Sequence, residues 1–164
     1  LFVPAGAGQV HSPRFAASGI FEPGDRFPWP HVPCGDRVYD LSCVPGEEAG
    51  FADLVYLSEL AGGWYALMDP EKQLGIGMAW DKDLFPYLWF WMVYGRAPGY
   101  PWWNQVYCLA LEPWTSMPNQ LEGAIKAGTQ AHLKGGDSLT TSLAATIITG
   151  RSSLNGISLD GTFA

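Results

Sequence analysis

Short apolar runs broken by turn residues dominate the chain from end to end. Asp53–Leu60, Trp64–Asp69, Leu74–Trp80 and Tyr87–Tyr94 each have strand length, and the first three are joined by Ala61-Gly62-Gly63 and Asp69-Pro70-Glu71-Lys72, both rich in turn formers. Connections this short predict an antiparallel meander. Further strands are predicted over Phe15–Phe21, which Glu22-Pro23-Gly24-Asp25 closes, over Gln105–Glu112, and over Ser138–Gly150, where Thr140, Thr141, Thr146, Ile147, Ile148 and Thr149 favour the extended state. In Tyr87–Tyr94, alternation places Tyr87, Trp89 and Trp91 on one face and Phe90 and Met92 on the other. An apolar signal on both faces predicts a strand covered on both sides, as in stacked sheets. Only Asn119–Gly128 reads as a helix, with Leu121, Ala124 and Ile125 at helical spacing and Gly128 placed to stop it. The expected fold is therefore all-β, an antiparallel β-sandwich with one short helix.

Composition supports that reading and narrows the function. The 164 residues include 20 Gly and 13 Pro, which leaves little room for long helices, and the 48% hydrophobic content suffices for one domain with a proper core. A net charge of −7, with only nine Lys and Arg, argues against a nucleic-acid partner, because phosphate binding draws on clustered cations. No apolar run is long enough to span a bilayer, and no basic-then-apolar leader opens the chain. The expectation is a soluble, cytoplasmic protein without a membrane partner; oligomeric state is not legible. Cys34, Cys43 and Cys108 show neither C-x-x-C nor zinc-like spacing, so reduced, mostly buried thiols are expected and no structural metal. The opening Leu1-Phe2-Val3-Pro4 reads like the middle of a strand or loop, which adds the expectation that residues 1–164 form a single β-sandwich domain from the C-terminal portion of a longer protein.

Candidate chemistry gathers where the aromatics do. Glu112 follows an apolar strand inside the stretch from Phe85 to Trp114 and precedes Pro113, which fixes the backbone and so the direction of the carboxylate. Burial among rings would raise its pKa and make it a usable base; a structural carboxylate satisfied by a backbone amide or by Arg96 is the plainer alternative. His31 lies in the proline-stiffened segment Phe27-Pro28-Trp29-Pro30-His31-Val32-Pro33, which would pin it beside Trp29. Its alternative is a loop histidine bonded to backbone, while His11 and His132 have weaker contexts still. Trp102, Trp103 and Trp114 stand near glycine and proline turns and are the better candidates for an open sugar-stacking surface, with Trp29 beside them. Asp81-Lys82-Asp83 is a solvated turn rather than a metal loop. Nucleotide, serine-hydrolase and zinc-protease signatures are absent from the sequence.

The stretch from Asp81 to Gly150 resembles the C-terminal half of the galactose mutarotase-like, or aldose 1-epimerase-like, superfamily. The residues that carry the resemblance are Phe85-Pro86-Tyr87-Leu88-Trp89, Tyr100-Pro101-Trp102, Ala110-Leu111-Glu112-Pro113-Trp114-Thr115-Ser116, Pro118-Asn119, Ala127-Gly128, Leu133 and Gly135-Gly136-Asp137-Ser138-Leu139. The resemblance implies an antiparallel supersandwich, here in truncated form, and an isomerase that interconverts sugar anomers. Glu112 would take the proton from the anomeric hydroxyl while a histidine, here His31, protonates the ring oxygen. It implies a small-molecule sugar as partner and neither a metal nor an organic cofactor. Pro113 and Trp114 depart from the polar residues that usually follow the family's base, and the segment around His31 departs from its histidine motif. A carbohydrate-binding module without turnover, and a structural β-domain whose aromatics are only core, are the competing expectations.

Overall fold

The computed structural model describes residues 1–164 and is built from three antiparallel sheets. The strands are β1 (Ala7–Val10), β2 (Arg26–Pro28), β3 (His31–Cys34), β4 (Arg37–Asp40), β5 (Phe51–Ser58), β6 (Trp64–Asp69), β7 (Leu74–Trp80), β8 (Tyr87–Tyr94), β9 (Tyr107–Trp114) and β10 (Leu143–Thr149). A five-stranded sheet runs in the order β2-β1-β5-β8-β9, a three-stranded sheet in the order β10-β7-β6, and β3 pairs with β4 alone. One seven-residue helix, α1 (Leu121–Ala127), ends at Gly128, whose left-handed φ of 69° lets its N–H return to the carbonyls of Ala124 and Ile125. The all-β expectation with one short helix holds, and the sheets stack as in a sandwich.

The main core lies between the five-stranded and three-stranded sheets. From β5 and β8, Val55, Leu57, Leu88, Phe90 and Met92 point inward, each at most 1% exposed, and meet Tyr65 and Trp80 from β6 and β7. The β3–β4 hairpin closes one end with Val32 and Tyr39, where Phe21, Tyr39, Phe51 and Tyr94 form an edge-to-face aromatic chain with centroid separations of 5.2–6.1 Å. Gly8 of β1 sits under the Phe27 ring, and a Cβ there would fall 2.3 Å from that ring. Behind the three-stranded sheet, Ala66, Ala79 and Ile148 are covered by Leu154, Ile157 and Phe163 of the C-terminal segment and by Phe2.

The sandwich is uneven at one edge. Register places Leu143 beside Trp80 and Ile147 beside Ile76, on the inward face of the three-stranded sheet. Leu143, Ile147 and Ile76 nevertheless stay 55%, 64% and 50% exposed where the five-stranded sheet ends at β9, with a cavity between Ile76 and Leu109 and Leu111 of that strand. Strand β9 is therefore an edge, and Pro113 near its end has no N–H to offer.

The segment Phe15–Phe21 is a correction: it forms no strand. Its last two amides, of Ile20 and Phe21, donate instead to the Asp53 carboxylate at 2.7 and 3.3 Å, so a buried side chain replaces the ladder partner that a strand would need. Burial raises the Asp53 pKa against these two bonds. Residues 138–142 likewise stay outside β10 and exposed.

Candidate functional site

The outer face of the five-stranded sheet, turned away from the main core, carries the Glu112 neighbourhood. Register aligns Gln9, Tyr56, Trp89 and Glu112 in one row across β1, β5, β8 and β9, and places Tyr87 beside Trp114 and Trp91 beside Ala110. The alternation that sends Phe90 and Met92 to the core sends these residues outward. Irregular segments then cover most of them: Phe15, Trp102 and Met117 pack against Trp91, Val93 or Trp89, so β8 is covered on both faces, as its sequence predicts.

Glu112 sits partly exposed rather than sealed among the rings. The Trp114 indole N–H donates to its Oε2 at 2.9 Å, and the Trp114 ring stacks on Trp89 at 4.2 Å with an interplanar angle of 14°. Trp89 is held in turn by donating its own indole N–H to the Ser116 carbonyl at 3.0 Å. The result is a tethered aromatic plane, 40% exposed, with a carboxylate beside it.

His11 also belongs to this face, and sequence context gave no sign of it. Its backbone N–H donates to the Leu54 carbonyl, and its Nδ1 lies 2.5 Å from the Tyr56 hydroxyl. That hydroxyl also accepts the Asn119 N–H at 3.1 Å and keeps its own proton to share with Nδ1. Burial lowers the His11 pKa and pushes Tyr56 up to about 12, both of which favour this uncharged pair. Three strand intervals, roughly 14 Å, separate the positions of β1 from Glu112.

The remaining predicted residues are dispersed. His31 is exposed at the start of β3, opposite Asp40, on a hairpin that packs against the core side of the five-stranded sheet; it does not share a face with Glu112. Trp29 turns into the main core against Phe90 at 6.4 Å rather than toward Trp114. Trp102 packs on Trp91 at 5.0 Å and is partly buried, whereas Trp103 is 59% exposed and meets Tyr100 edge-on at 5.4 Å. His132 is exposed beside Gln130. No three His, Cys, Asp or Glu side chains converge as a metal site would require. All three cysteines are free, and Cys43 is exposed rather than buried. No helix is long and apolar enough to cross a membrane.

No protein family, no curated protein and no solved structure matches this chain.

Proposed function

We propose that this chain is a carbohydrate-binding β-sandwich without turnover, with Trp114 as the stacking plane and Glu112 as the acceptor that orients sugar hydroxyls. One observation carries the reading: the half-open Trp114 ring is fixed by Trp89 behind it and by Glu112 at its edge, while Oε1 of Glu112 makes no hydrogen bond to protein. A flat apolar surface with one adjacent carboxylate suits a pyranose, whose C–H face stacks while its hydroxyls donate. Trp103, exposed in the turn after Gly99, offers a second ring to a longer saccharide.

The aldose 1-epimerase-like reading is the second, favoured by the same Glu112 and the motif around it. Ring opening needs an acid and a base that both reach oxygens on one anomeric carbon, each within about 3 Å of its own oxygen. Glu112 supplies the base, but His31 stands on the other side of the sheet and His11 lies three strands away. Binding is thus the better-supported activity.

The test combines isothermal titration with a panel of mono- and oligosaccharides and polarimetry of freshly dissolved sugar anomers. Binding that Trp114→Ala abolishes and Glu112→Gln weakens, without faster mutarotation, is the expected result. Acceleration of mutarotation that Glu112→Gln removes would replace this reading with the isomerase. Silence toward every sugar would end both.

A further inference from the structure

Tyr94, the last residue of β8, is 1% exposed, packed edge-on against Phe51 at 5.2 Å and beside Tyr107 at 5.7 Å. A phenol so deep ordinarily finds a partner. Its hydroxyl makes no hydrogen bond to the protein, and it is not sealed in packed side chains, because the ring borders two cavities. One, of about 370 Å³, is lined by aliphatic side chains, tyrosines and Cys108 and lies between the two large sheets. The other, of about 500 Å³, opens beneath β4, with Tyr39, Leu41 and Phe51 as walls and Arg37 and Asp40 at its mouth.

The two charges at that mouth differ in what they have left to offer. Asp40 Oδ1 accepts from the Ser42 N–H at 2.9 Å and the Ser42 hydroxyl at 2.6 Å, Oδ2 faces the Cys43 thiol at 3.8 Å, and His31 stands across the hairpin. Arg37 takes part in none of the ion pairs of the molecule. Its planar fork matches a carboxylate, the apolar walls suit a ring, and Tyr94, with its unpartnered hydroxyl, is among the lining residues.

We propose that the cavity beneath β4 binds a small aryl carboxylate bearing an oxygen at the far end of its ring. The carboxylate pairs with Arg37 at the mouth, the ring lies against Tyr39, Leu41 and Phe51, and the distal oxygen bonds to the Tyr94 hydroxyl. The site lies on the core side of the five-stranded sheet and is independent of the Trp114 surface.

Titration calorimetry with 4-hydroxyphenylacetate, phenylacetate and 4-hydroxyphenylacetamide tests the assignment. The first should bind, and each of the other two should bind at least about tenfold more weakly, the loss expected for one charged or buried hydrogen bond. Arg37→Gln should erase the preference for acid over amide, Tyr94→Phe the preference for the hydroxylated ring, and Trp114→Ala should change neither. Circular dichroism confirms that the variants fold; Arg37, at the exposed mouth, reports even if Tyr94→Phe does not. No binding of 4-hydroxyphenylacetate to the wild-type chain, equal affinity for the three compounds, or affinities indifferent to Arg37→Gln would overturn the proposal.

Discussion

The two faces of β5 and β8 are both aromatic and apolar, yet they are built on different principles. On the inner face, Val55, Leu57, Leu88, Phe90 and Met92 carry no side-chain hydrogen-bonding group and are held by packing against a second sheet. On the outer face, Tyr56 and Trp89 each spend a polar atom on the chain that covers them, Tyr56 on Asn119 and Trp89 on Ser116. Area stabilises most of the first arrangement, with Asp53 and its bonds to the Ile20 and Phe21 amides as the polar exception, whereas directional bonds choose which irregular segment settles on the second. Trp91 is the exception outside, since its indole N–H is buried without a partner. A surface organised by such bonds can leave one ring, Trp114, open without losing the rest.

Mutations should separate the faces. Phe90→Ala, at 1% exposure, removes a whole ring from close packing and should cost about 3–5 kcal/mol in urea denaturation. Tyr56→Phe keeps the ring but orphans the Asn119 N–H and His11 Nδ1, for a smaller loss of about 1–3 kcal/mol together with faster amide exchange at Asn119. Trp114→Ala loses only an outer stack, about 0.5–1.5 kcal/mol, and equal costs for Trp114→Ala and Phe90→Ala would erase the distinction between the faces.

The smallest signal is in pH. Because burial lowers the native His11 pKa below 6.5, the unfolded chain binds that proton more readily. The contribution of His11 is fully present above pH 6.5, declines as pH falls below it, and levels off beneath the depressed native value. Asp53 has the opposite sign: its native pKa stands above 3.8, so its contribution is present below 3.8 and lost as pH rises through the raised value. His11→Gln should flatten the decline below pH 6.5 in a denaturation series; an unchanged slope would show that His11 is not its source.

How much was legible follows the same physics. Trp64–Asp69, Leu74–Trp80 and Tyr87–Tyr94 coincide with β6, β7 and β8, because turn residues bracket long apolar runs. Strands β1 to β4 are three or four residues long and contain Gly8, Pro28 and Pro33, so their pairing is set by tertiary neighbours that local pattern does not encode. Glu112 was visible through Pro113 and the rings around it. The pairing of His11 with Tyr56 was not, because register across two strands joins residues 45 positions apart. The proline-rich setting of His31 does stiffen the chain, but it turns Trp29 inward and leaves the imidazole outside.

Pro113 has a consequence beyond aiming Glu112. The free edge of β9, like that of β10 with its exposed Leu143 and Ile147, is a template on which other chains can nucleate, the first step toward fibrous deposits. A proline without a donor, preceded on the same strand by a negative charge, makes β9 a poorer template than an unbroken apolar edge.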